Sequence, residues 1–198
     1  MTRVPGPGGG WTLFRLRSAG PNRAWAMGSQ FINGGEGNWT AWCWDGAWTA
    51  IPTPAMGFPT ATATDAQGGL WIADADGVWR YDGARWVHHA PGRKQLGSIC
   101  AGAADDVWVS GLGLAHWDGS AWRDFGTLTL AAFGRVAPDD IWAVGTPQPN
   151  GIGFDLWHWD GKSWTPEHET FLPLSMAALP NGEIWGAGGG SLLHRRAP

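Results

Sequence analysis

Two stretches decide how this chain folds: Pro138-Asp139-Asp140-Ile141-Trp142-Ala143-Val144-Gly145 and, shortly downstream, His158-Trp159-Asp160-Gly161-Lys162-Ser163-Trp164. The first is an apolar-Trp-apolar run of strand character. The second sets Asp-Gly between two aromatic-bearing runs. Asp-Gly is the expected signal of a tight hairpin, because Gly tolerates the positive φ that such a turn demands.

Working outward, the first half recurs as Ala24-Trp25-Ala26-Met27-Gly28, Leu70-Trp71-Ile72-Ala73, Val107-Trp108-Val109-Ser110-Gly111 and Ile184-Trp185-Gly186-Ala187-Gly188, five copies in all. The second half recurs as Trp44-Asp45-Gly46-Ala47-Trp48, Tyr81-Asp82-Gly83-Ala84-Arg85-Trp86 and Trp117-Asp118-Gly119-Ser120-Ala121-Trp122, four copies in all. A stretch rich in Ala, Gly and Ser precedes the Trp strand, as in Gly97-Ser98-Ile99-Cys100-Ala101-Gly102-Ala103 and Leu174-Ser175-Met176-Ala177-Ala178. Small side chains suit a crowded axis. Ordered outward, each unit of about 40 residues is then a small-residue strand, the Trp strand, the strand ending in aromatic-Asp-Gly, and an outer Trp strand. The expectation is an all-β fold, a single five-bladed β-propeller with four-stranded blades spanning residues 1–198.

The ends carry a further expectation. Ser191-Leu192-Leu193-His194-Arg195 is followed by no Trp strand, while Gly8-Gly9-Gly10-Trp11-Thr12-Leu13-Phe14 resembles Gly119-Ser120-Ala121-Trp122-Arg123-Asp124-Phe125 in spacing and character. The N-terminal strand, about 9–14, is therefore expected to complete the last blade by pairing with strands at about 174–195.

Composition agrees with a turn-rich β protein: 198 residues hold 17 Trp, 32 Gly and 14 Pro, and only 15% are charged. A net charge of -4 with 13 scattered basic residues supplies no positive stripe for a phosphate backbone, so nucleic acid is not an expected partner. No run approaches the roughly 20 apolar residues of a membrane span, and Met1-Thr2-Arg3-Val4-Pro5-Gly6 lacks the apolar core of a signal peptide. The expectation is no membrane partner and a cytoplasmic location. Cys43 and Cys100 fall in strands of different repeats and read as small buried thiols. No zinc-type spacing exists, and neither a metal nor a cofactor is expected.

These repeats resemble bacterial β-propeller repeats written Asp-Asp-Val-Trp-Ala-Val-Gly and His-Trp-Asp-Gly-x-x-Trp, themselves similar to kelch repeats. The match is close at Ala104-Asp105-Asp106-Val107-Trp108, at Pro138–Gly145, and at His116-Trp117-Asp118-Gly119 and His158-Trp159-Asp160-Gly161. Tyr81, Cys43, Arg80 and Arg195-Arg196 depart from it. The resemblance implies an architecture more than an activity.

Two long connections break the repeat symmetry, Gly28–Asn38 and Gly145–Gly153, and function is commonly grafted onto such loops. Candidate ligand-binding residues are Gln30, Asn33, Glu36, Asn38, Trp39, Gln148 and Asn150. Trp39 has no counterpart in the other repeats; its indole serves either the core or as a platform for a sugar face beside amide hydrogen-bonding groups. His116, His158 and His194 share one repeat position on separate blades and read as structural rather than as a metal cluster. Asp105-Asp106 and Asp139-Asp140 read as turn caps, and Asp74-Ala75-Asp76-Gly77 as a hairpin lacking the later Glu of a calcium loop. No nucleophile elbow, phosphate loop or dinucleotide fingerprint is present. The leading expectation is lectin-like binding of a carbohydrate or other small polar ligand. The alternatives are a protein-interaction scaffold with a protein partner, or a small-molecule hydrolase, lyase or cyclase using the central channel. Converging titratable groups in that channel would favour the enzyme.

Overall fold

The computed structural model describes residues 6, 10–32, 35–75, 77–147, 154–171, 175–179, 181–188 and 191–196. Each Trp strand is the second strand of an antiparallel sheet. Blade 1 comprises β1 (Trp11–Ser18), β2 (Ala24–Ile32), β3 (Gly35–Trp44) and β4 (Trp48–Pro52). Blade 2 comprises β5 (Ala61–Thr64), β6 (Leu70–Ala73), β7 (Val78–Tyr81) and β8 (Trp86–His89), and blade 3 β9 (Ser98–Ala103), β10 (Asp106–Gly111), β11 (Gly113–Trp117) and β12 (Trp122–Asp124). Blade 4 comprises β13 (Leu130–Ala137), β14 (Asp140–Pro147), β15 (Phe154–Trp159) and β16 (Trp164–Phe171); blade 5 comprises β17 (Ser175–Ala178), β18 (Ile184–Gly188) and β19 (Ser191–Arg195). Strand order follows chain order in every sheet, giving a five-bladed β-propeller.

The Asp-Gly turns are held by their own side chains. The Asp118 carboxylate accepts the backbone N–H groups of Ala121 and Ser120 and the Ser120 hydroxyl, which together hold its pKa down at about 2. Gly161, at φ +86°, also leaves no room for a side chain, since a Cβ there would sit 2.8 Å from Cβ of Asp139. The first Asp of the Asp-Asp pair thus packs directly under the next hairpin.

Blades pack through the tryptophans. In blades 1 and 3 the Trp of the second strand faces the following blade and meets the aromatic that precedes its Asp-Gly: Trp25 contacts Tyr81 edge-on at 5.7 Å and Trp108 contacts Trp159 at 4.9 Å. At the fourth junction Arg195 occupies that aromatic position and lays its guanidinium 4.4 Å from the Trp142 ring, a cation–π contact in place of a ring pair. Trp25, Trp71, Trp108 and Trp142 are 1, 0, 1 and 6% exposed. Trp185, at the same position in blade 5, is 40% exposed and stacks on its cross-strand neighbour His194 at 4.0 Å. Among the described residues four buried clusters join successive blades from 1 to 5, and none joins blade 5 to blade 1.

The expected closure by the N-terminus is overturned. β1 pairs with β2, from Trp11 opposite Gln30 to Ser18 opposite Ala24, and forms the innermost strand of blade 1, while the described residues of blade 5 form three strands. Pairing through a short turn closes a far smaller loop than pairing across the ring, and it satisfies the inner edge of β2. Gly28 permits the approach, because a Cβ there would lie 2.3 Å from the Thr12 carbonyl oxygen. Arg15 and Arg17 then anchor β1 to blade 2 by donating to the carbonyls of Thr60 and Thr62 at 3.1 and 2.8 Å.

Candidate ligand site

The segment expected as the first long loop is largely strand. β2 runs on to Ile32 and β3 starts at Gly35, with Phe31 opposite Glu36 and Ile32 opposite Gly35. Backbone pairing absorbs the insertion, so β3 has ten residues where β7, β11 and β15 have four, five and six. A register shift falls between Ser29 and Phe31, at Gln30, which is half-buried and lies opposite Trp11. Glu36 and Asn38 lie on β3; Asn33, Gln148 and Asn150 fall outside the described residues.

Trp39 shares a face of β3 with Ala41 and Cys43, both in the core between blades 1 and 2. Its indole is half-buried, and Phe14 and Phe58 flank it at 5.8 and 5.1 Å. Those two rings are 42 and 53% exposed, so the cluster opens to solvent. On one side a cleft of about 60 Å³ is lined by Phe14, Arg15, Met27, Trp39, Phe58 and Pro59. On the other, a hollow of about 460 Å³ is bounded by Trp39, Thr40 and the Pro52–Met56 connection. Trp39 is both a core residue and part of the wall between two openings. The sequence does not point to Phe14 or Phe58 here, because Phe14 reads as part of an outer strand matching Phe125 and Phe58 lies in the connection between blades 1 and 2.

Buried Asp74 fixes this rim. Its carboxylate accepts the N–H groups of Gly57 at 3.1 Å and Gly77 at 2.9 Å, with the indole of Trp79 at 3.4 Å. The Asp74–Gly77 segment is accordingly a hairpin staple that also ties down the connection carrying Phe58.

The repeat histidines lie in separate blades, each on an acid and a tryptophan of its own sheet. His116 meets Asp106 at 2.9 Å, His158 meets Asp140 at 3.0 Å and His194 meets Glu183 at 3.5 Å. Their rings lie 4.4, 4.3 and 4.0 Å from Trp108, Trp142 and Trp185. In blade 2 Arg80 takes the His position, pairs with Asp65 at 3.0 Å and lies over Trp71; in blade 1 Arg23 covers Trp25 and donates to the Cys43 sulfur. The Trp thus recurs in all five blades and the acid in blades 2 to 5, while the middle group varies, which is a packing role. Among the described residues no three His, Cys, Asp or Glu side chains are grouped to hold a metal ion. Cys43 and Cys100 are buried free thiols, and burial pushes the Cys100 pKa up to about 12.

The central channel, about 420 Å³, is lined by Phe14–Arg17 and by residues in or next to β5, β9, β13 and β17. Its described lining contains two arginines and no Asp, Glu or His. Among these described lining residues there is no Asp–His, Glu–His or paired-acid set, which is what the enzyme alternative would use.

No family model and no curated protein matches the sequence. Solved structures do. The SapL1 lectin, in complex with α-methyl fucoside, superposes with a TM-score of 0.62 at 14% identity over 95% of this chain and 80% of that one. An Aleuria aurantia lectin mutant in complex with Fucα1-6GlcNAc gives 0.53 at 14% identity over 87 and 70%. The Aleuria aurantia lectin described as a six-bladed β-propeller with a novel fucose recognition mode gives 0.51 at 16% identity over 92 and 76%. At such identities the likeness is one of fold, and the class it defines is the β-propeller.

Proposed function

We propose that this protein is a carbohydrate-binding propeller that takes the apolar face of a pyranose against Trp39 at the rim between blades 1 and 2. The observation carrying the proposal is the solvent-open cluster of Phe14, Trp39 and Phe58 between two hollows. Aromatic rings present a flat apolar face with little conformational entropy to lose, and nearby hydroxyls, here those of Thr40 and Thr53, supply orientation. Fold neighbours solved with fucosides support the ligand class and make α-methyl fucoside the first probe. The test is a glycan array followed by calorimetric titration of the best glycan. Binding is expected, weakened by about tenfold or more in Trp39→Ala, since base–aromatic and comparable stacking contributes roughly 1–3 kcal/mol. Binding unchanged in Trp39→Ala would refute the assignment of the site.

The kelch-like character of the repeats and a role as a protein-interaction scaffold rest on the motif matches alone, and we rank them below the sugar site. The proposal includes a cytoplasmic location, which the two buried free thiols support.

A further inference from the structure

The central channel combines features that the sugar site does not use. Arg15 and Arg17 both line it, neighbours on β1 separated by one residue. Each guanidinium is tethered by a backbone carbonyl of the innermost region of blade 2, Arg15 by Thr60 and Arg17 by Thr62, and Arg17 also donates to the Leu16 carbonyl at 2.9 Å. Among the described residues these bonds use one donor of the Arg15 fork and two of the Arg17 fork, out of five on each. Neither arginine has a carboxylate partner among the described residues. That contrasts with Arg80 on Asp65, Arg93 on Asp124 and Arg135 on Asp106 elsewhere in the molecule. Partial burial, and then the positive charge of Arg15, lower the pKa of Arg17; an arginine nevertheless stays charged at neutral pH. Two like charges held side by side at a partly desolvated wall repel, and an anion between them relieves the repulsion. The opposite wall offers Ser98, Phe133, Ser175 and Met176, a mixed polar and apolar surface, and the volume of about 420 Å³ suits a small molecule.

We propose that the central channel is a binding site for a small oxyanion, a carboxylate or sulfate, recognised by the tethered forks of Arg15 and Arg17. Planar forks match such oxygens through paired charge-assisted hydrogen bonds. The channel adjoins the Trp39 surface, with Phe14 and Arg15 lining both, but the oxyanion assignment does not depend on the sugar reading. In a protein whose net charge is -4, it is a local cationic exception.

The experiment titrates the whole chain with sodium sulfate, glucuronate and glucose, by calorimetry at low ionic strength. The expected result is one saturable site that depends on Arg15 and Arg17 for sulfate, for glucuronate or for both, and no binding of glucose that depends on these two arginines. Binding of sulfate alone assigns the site to a free inorganic oxyanion; binding of glucuronate as well assigns it to an organic carboxylate. Arg15→Gln and Arg17→Gln should each weaken binding by about tenfold, while Arg85→Gln, on an exposed hairpin of blade 2, should not. Because Arg15 and Arg17 also anchor β1, the wild-type chain supplies a second readout. Modification of arginines by phenylglyoxal, mapped by mass spectrometry, should be slowed at Arg15 and Arg17 by the bound anion. No saturable binding of either anion, equal loss in Arg85→Gln, or no protection of the two arginines would overturn the proposal.

Discussion

His89 lies at the junction of blades 2 and 3, its ring 5.2 Å from Trp71 and 4.8 Å from Trp117. Burial, followed by the charges of Arg80 and His88, holds its pKa below the usual 6.5. Below about pH 6.5 the unfolded chain therefore binds a proton that the folded chain resists, and stability falls with pH until the folded pKa is reached. Urea midpoints are expected to drop between pH 7 and pH 5, and His89→Phe to flatten that part of the slope; an unchanged slope would count against a neutral, half-buried His89. Asp106 acts at lower pH. Burial opposes its ionisation, but hydrogen bonds from His116 and Arg135 outweigh that and keep its pKa below the usual carboxylate value. Its contribution is present above about pH 4 and is lost as pH falls through the folded pKa. Asp106→Asn should cost roughly 1–3 kcal/mol at pH 7, measured by the same melts. The histidine and Asp-Asp positions were legible in the sequence as repeated structural features. Their pairing was not, because it is a cross-strand contact that only the register defines.

At the scale of elements, β1 shows where sequence similarity misleads. Its Gly-rich approach and leading Trp look like an outer strand, yet pairing is decided by the nearest unsatisfied edge, and β2 offers one within a short turn. The Gly28–Asn38 insertion likewise looked like a loop because its Gly and Asn content suppresses the strand signal, while in the folded chain it extends a hairpin that was already nucleated. The consequence for blade 5 is measurable. Among the described residues β19 pairs with β18 alone, whereas β7, β11 and β15 each lie between two strands. Hydrogen exchange should accordingly be faster across 191–195 than across 113–117, with β1 protected at its bonds to β2. Equal protection of β19 and β11 would mean that a fourth strand covers blade 5 after all.

For the whole molecule, the repeat made five blades and their strand order legible, because a Trp at one position per unit reports the same junction each time. It could not report that one junction differs. The rings at four junctions are nearly inaccessible, whereas Trp185 is 40% exposed. Trp71→Ala should cost roughly 3–5 kcal/mol by removing a fully buried indole, and Trp185→Ala about 1 kcal/mol or less; chemical denaturation of the two variants compares them directly.

The Trp39 site was legible only as an indole without a counterpart, since its phenylalanine neighbours come from β1 and from the connection between blades 1 and 2, far apart in the chain. The most direct test of the account is a crystal structure of the chain with the glycan selected on the array. A pyranose ring stacked on Trp39 between Phe14 and Phe58 is the expected result. A glycan bound at another blade, with the Trp39 cluster empty, would contradict it.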